Sequence, residues 1–100
     1  MSTQNPHSPL LSTEELKNSL TALPDWEVLP DGQSIQKEYP FKNYYETMAF
    51  VNAVAWIAHQ KDHHPDMEVG YKTCTVTYST HSAGGITAKD IESASRIEDL

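Results

Sequence analysis

The run DHHPDMEVGYKTCTVTYSTHSAGGITAKD, residues 62–90, decides how this chain folds. Pro65 forbids helix, so the apolar segment upstream must stop near Asp62, leaving His63 and His64 at or just beyond a helix end. Met67, Val69 and Tyr71 then alternate with polar residues, and Cys74, Val76 and Tyr78 alternate with Thr73, Thr75, Thr77 and Ser79. A period of two predicts two strands, joined near residues 70–73. The second has one apolar and one hydroxyl-rich face, as in an antiparallel sheet covered on one side only. Residues 79–85 form a glycine-containing loop. Thr87 opens a last helix, Asp90 stands three residues on in the capping position, and Ile86 can staple onto Ile91. Ile91, Ala94 and Ile97 give that helix an inner face.

Upstream, Asn43 and Glu46 have the spacing of another capping box, and from residue 48 to 58 only Asn52 is polar. A helix apolar nearly all round must bury more than one side. One side covers the sheet; in so small a protein the other is expected to meet a second subunit, as a homodimer or homotetramer. Earlier still, Ser12 and Glu15 cap a first helix that Leu11 staples onto Leu16; it is expected to reach Leu23, with Leu16, Leu20 and Leu23 inward and Pro24 closing it. Alternation at residues 26–28 and 35–39, around the turn Pro30-Asp31-Gly32, predicts a hairpin. The element order is α-β-β-α-β-β-α, an α+β domain with helices on one face of a four-stranded antiparallel sheet. Residues 11–100 are read as that single domain and residues 1–10, with two prolines and many polar side chains, as a flexible tail.

Composition narrows the function. The chain is 38% apolar and 21% charged, as in an ordinary globular domain. Seven Lys and Arg against fourteen Asp and Glu give a net charge of −7, which disfavours direct nucleic-acid binding. No run of about 18 apolar residues suggests a membrane span, and no export signal is visible. Cys74 is the single cysteine, so a disulfide framework is absent and a reducing cytoplasm is the natural compartment.

Four of the five histidines, His59, His63, His64 and His81, fall within 23 residues. Imidazole both gives and takes protons near neutrality, so rings brought together near Asp62 and Asp90 make a proton-transfer candidate. Two other readings compete. Clustered histidines are often surface polar residues at a helix end. His59 and His63 also stand four apart, the spacing that puts two metal ligands on one helix face, with His64 or His81 as a third. Against a zinc hydrolase, no glutamate follows His59 to act as base, and Lys61 adds positive charge. His59 reads best as an ordinary polar helix residue.

The quoted run resembles the signature of the pterin-4a-carbinolamine dehydratases. It has the triplet His63-His64-Pro65, an aromatic six positions after the proline (Tyr71), a histidine ten further on (His81) and an aspartate nine beyond that (Asp90). Weaker similarity runs back through Trp26, the segment at residues 37–42 and the second helix, about nine-tenths of the chain. The resemblance implies a 4a-hydroxytetrahydrobiopterin dehydratase that works without metal or cofactor. It would convert the 4a-carbinolamine to quinonoid dihydropterin and water, in recycling of the pterin spent by aromatic amino acid hydroxylases. It implies that His63 and His81 are acid–base residues, that His64 positions substrate, and that Asp90 orients a catalytic ring. Asp62, Ser79, Thr80, His81 and Ser82 would wall the pocket with His63 and His64. Two positions depart from well-known animal members: His59 replaces a glutamate, and Ala83 a cysteine. Those members also serve as dimerisation cofactors of a homeodomain transcription factor, so an interaction protein acting through the apolar second helix is the alternative.

Overall fold

Alternation along two strands is what builds the layers. A computed structural model describes residues 9–100; most of the expected tail, residues 1–8, lies outside them, and Leu10 forms an antiparallel bridge with Thr87. The elements are α1 (Thr13–Leu20), β1 (Glu27–Val28), β2 (Ile35–Pro40), α2 (Tyr44–Lys61), β3 (Asp66–Val69), β4 (Thr73–Tyr78) and α3 (Ala88–Glu98). The strands pair antiparallel in the order β1-β2-β4-β3. Register sets Ile35 beside Tyr78 and Tyr39 beside Cys74, with Met67 and Lys37 flanking Val76. Because side chains alternate, these residues share one face and Gln36, Glu38, Glu68, Thr75 and Thr77 share the other.

The first face carries the core. Ile35, Cys74, Val76 and Tyr78 cluster with Val54 and Ile57 of α2 and with Ala94 and Ile97 of α3; Leu16 and Leu20 of α1 pack against the same cluster. All three helices therefore lie on one side of the sheet, as the sequence pattern predicts. Each fully buried aliphatic side chain there contributes about 1.5–3 kcal/mol.

Local signals explain the boundaries. Ser12 and Glu15 form the reciprocal capping box of α1. Regular helix ends at Leu20, three residues before the expected Leu23. The chain continues in tight turns, Leu23 donating to Leu20 O at 3.1 Å, which still buries Leu23. Gly32 adopts φ +73 in the hairpin turn, where a side chain would be strained. Asn43 caps α2 as expected, but Glu46 reaches Lys42 N rather than Asn43 N. Tyr71, expected to continue β3, lies beyond its end and stacks on Tyr44 at 5.8 Å. The outward face of α2 carries Tyr45, 84% exposed, and Trp56, 60% exposed. Among the described residues no helix is long and apolar enough to cross a membrane.

Candidate active site

The carboxyl end of α2 has the hydrogen bonds of a Schellman motif. His63 N donates to Ala58 O at 3.1 Å and Asp62 N to His59 O at 3.3 Å. The motif needs a left-handed residue, and Asp62 supplies it at φ 52, a position glycine usually fills. This reversal turns the chain so that His63 points inward while Asp62 and His64 stay exposed.

The other wall comes from the end of β4. Alternation continues past the strand: Tyr78 and Thr80 are buried, Ser79 is partly buried and His81 is exposed. Thr80 pairs with Gly85 across the loop, and Gly84 at φ +75 makes that closure. A 3-10 turn over His81–Ala83 lifts His81 and Ser82 outward. Together Asp62, His63, His64, Ser79, Thr80, His81, Ser82 and Lys89 line a cleft of about 300 Å³. All seven residues expected on the pocket wall are among them.

Behind the cleft lies a buried acid. Asp90 is fully buried and accepts from three donors. Its Oδ1 meets His63 Nε2 at 2.6 Å, and its Oδ2 takes Thr80 Oγ1 and Thr87 N, each at 2.8 Å. An ionised carboxylate only accepts, so Nε2 carries a proton, and when the imidazole is neutral Nδ1 is its acceptor nitrogen. Thr80 spends its hydrogen on Asp90, hence Thr87 Oγ1 donates to Thr80 at 2.8 Å while accepting from Lys89 N at 3.2 Å. The result is a network whose donors converge on Asp90, from the first turn of α3 on one side and from the imidazole on the other. Only 12% of the His63 side chain is exposed. One flank of its ring stacks on Tyr78, with centroids 5.2 Å apart and planes inclined at 22°.

Two of these residues escape sequence reading. Tyr78 carries only a core signature there, and Lys89 looks like any surface lysine on a helix. Conversely, His59 sits on exposed α2 surface, stacked on Trp56 at 5.7 Å, and is not part of the cleft. Among the described residues no group of three or more His, Cys, Asp or Glu is disposed to hold a metal ion.

Comparison with known proteins identifies the family. The family model described as pterin 4 alpha carbinolamine dehydratase matches residues 9–100. A protein of Nitrosospira multiformis, provisionally named a pterin-4-alpha-carbinolamine dehydratase, is 52% identical over 92 residues, covering 92% of this chain and 80% of that one. One of the same provisional name from Chromobacterium violaceum is 52% identical over 97 residues, covering 97% and 87%. A crystal structure from Brucella melitensis, described as a transcriptional coactivator/pterin dehydratase, has a TM-score of 0.86 at 30% identity over 90% of this chain and 96% of that one. A pterin dehydratase-like protein identified as a RuBisCO assembly factor shares the fold at a TM-score of 0.64 and 21% identity, over 75% of this chain and 87% of its own. On the match across residues 9–100 and the identities of about one half, this chain belongs to the pterin 4 alpha carbinolamine dehydratase family.

Proposed function

We propose that the protein dehydrates 4a-hydroxytetrahydropterin to quinonoid dihydropterin and water by histidine acid–base catalysis. The observation that carries this reading is a single cleft bearing His63, His64 and His81, with His63 held by the buried Asp90. In the reaction the C4a–O bond breaks and the N5 lone pair forms C4a=N5. The N5 proton goes to a base, and the departing hydroxyl receives a proton to leave as water. The step is a redox-neutral loss of water, and its proton transfers call for no cofactor.

His63 is the suitable base. Its Nε2 proton is committed to Asp90, and the imidazolium formed when Nδ1 takes the N5 proton faces that carboxylate directly. His81, exposed on the opposite loop, is the proposed acid for the hydroxyl, and His64 positions the heterocycle. Asp62 and residues 79–82 offer hydrogen-bonding groups to the flat polar ring. Asp90 acts through His63 as a positioning residue.

A stopped-flow assay with 4a-hydroxytetrahydropterin tests the reading. The wild type is expected to accelerate dehydration, and His63→Ala to lose about 10²–10⁴-fold. A wild type that leaves the spontaneous rate unchanged refutes it.

The exposed Trp56 and Tyr45 support an accompanying role for α2 as the contact of a homodimer or homotetramer, or of a transcription-factor partner. Sedimentation of Trp56→Glu tests this, with dissociation into monomers expected if copies of the chain meet there. The free, buried Cys74 fits a cytoplasmic location.

A further inference from the structure

Asp90 alone does not fix the ring of His63. A single hydrogen bond at Nε2 leaves the imidazole free to tilt about that contact, and His63 follows a helix end rather than lying within a helix. The second restraint is Tyr78, which grips the residue twice. Its ring stacks on the imidazole at 5.2 Å, and its hydroxyl lies 3.4 Å from the His63 carbonyl oxygen, a long hydrogen bond. Tyr78 is itself immobile: it is fully buried, ends β4 and pairs with Ile35. Burial pushes its phenol above the ordinary value, so the ring meets His63 as a neutral face. Ser93, one turn beyond Asp90 on α3, has a buried Oγ without a hydrogen-bond partner.

We propose that Tyr78 is a positioning residue for the acid–base chemistry, its ring setting the plane in which His63 Nε2 meets Asp90 and Nδ1 is offered to the substrate. Alternation at the end of β4 explains how one strand does this. Tyr78 and Thr80 point inward, one holding the imidazole and the other its carboxylate, while Ser79 and His81 belong to the cleft. The titratable groups that share the cleft with His63 are Asp62, His64, His81 and Lys89, while Tyr78 covers one flank of the imidazole with an aromatic face. The inference rests on the dehydratase reading for its kinetic consequence, and on geometry alone for its effect on the ring.

The test separates the two. Tyr78→Leu removes the aromatic face, and Tyr78→Phe keeps it while losing the hydroxyl. Long-range ¹H–¹⁵N spectra of the substrate-free protein read the His63 tautomer, and stopped-flow turnover reads kcat and KM. Where the imidazole is neutral, the wild type is expected to hold the single Nε2–H tautomer. Tyr78→Leu should mix the tautomers and lower kcat about 10-fold with KM changed less than about 3-fold, because a misplaced base costs rate rather than affinity. Tyr78→Phe should restore the single tautomer and most of the turnover. Val76→Ala, a buried β4 change away from the cleft, should lower stability and leave both readouts alone. The proposal is overturned if Tyr78→Leu keeps either the single tautomer or the wild-type kcat, or if Val76→Ala reproduces both losses. Tyr78→Met, which fills the space with a flexible chain, replaces the leucine variant if that one does not fold. Absence of turnover in the wild type would sink the dehydratase reading and leave the tautomer to judge the clamp.

Discussion

The imidazole of His63 and the carboxylate of Asp90 meet at 2.6 Å although they stand 27 residues apart in the chain. Asp90 also caps α3 through Thr87 N, so one buried side chain both starts a helix and holds a ring. Asp90→Asn separates the two duties. An amide has one acceptor oxygen for three donors, and its NH₂ turned toward Nε2 forces the proton of His63 onto Nδ1. Turnover is expected to fall about 10²–10⁴-fold, as for other catalytic histidines put in the wrong tautomer. Loss of part of the cap costs about 1 kcal/mol, a fall in Tm of about 4–8 °C. Stopped-flow rates beside thermal melts check both, and wild-type turnover in this variant would break the link between the acid and the chemistry.

Asp62 is held in the left-handed region at φ 52, where a side chain costs about 1–2 kcal/mol, and its side chain borders the cleft. Strain kept beside a site is a trade of stability for function. Asp62→Gly should relieve it. Part of the gain is lost to the freer unfolded chain, leaving about 0.5–1 kcal/mol of net stabilisation. The same variant should raise KM for the pterin. A denaturant titration showing no stabilisation, or an unchanged KM, would remove the functional reason for an aspartate there.

Much of this was legible in the sequence because it is local. The capping boxes at Ser12 and Thr87, the helix stop enforced by Pro65 and the alternation of Cys74, Val76 and Tyr78 all follow from neighbouring residues. What needs the fold is contact at a distance. Thr87 and Asp90 announce a cap, but nothing nearby says that the second carboxylate oxygen reaches back to His63. The left-handed Asp62 is hidden because glycine is the residue that marks such a position. Lys37 is informative in another way, since alternation puts it on the inner face between Ile35 and Tyr39, where a lysine needs a partner. That partner, Glu98, lies 61 residues away.

Glu98 gathers three donors on one oxygen: Lys37 Nζ at 2.7 Å, Tyr39 OH at 2.5 Å and Trp26 Nε1 at 3.3 Å. Burial alone would raise its pKa, but these hydrogen bonds and the charge of Lys37 prevail and hold the carboxyl below its ordinary value of 4.5. A lowered folded-state pKa gives stability that is complete above the unfolded value and is lost as pH falls through the folded one. Unfolding midpoints should therefore drop as the medium is acidified below about 4.5. Glu98→Gln should remove about 2 kcal/mol at neutral pH and flatten that acid limb. Urea titrations across pH 3–7 read both, and an equally steep acid limb in the variant would assign the acid sensitivity elsewhere. Tyr39 works in the other direction. Burial first, and then the neighbouring Glu98, raise its pKa well above 10, so stability should also decline above pH 10 as the unfolded chain ionises there.

Lys89 follows the N-cap Thr87 by two residues, in the first turn of α3. The positive end of a helix dipole disfavours a cation there by about 0.3–1 kcal/mol, so helix stability does not explain it. Its side chain lines the cleft beside the histidines, and a pterin presents an electron-rich carbonyl that an ammonium can hold. Lys89→Ala should thus be at least as stable as the wild type, because only its backbone N–H takes part in the cap and that bond to Thr87 Oγ1 survives. KM should rise about 3- to 10-fold with kcat nearly unchanged, the pattern expected when binding is lost equally from ground state and transition state. Should kcat fall instead while KM holds, Lys89 acts on the departing hydroxyl, and the acid role given to His81 would have to be shared with it.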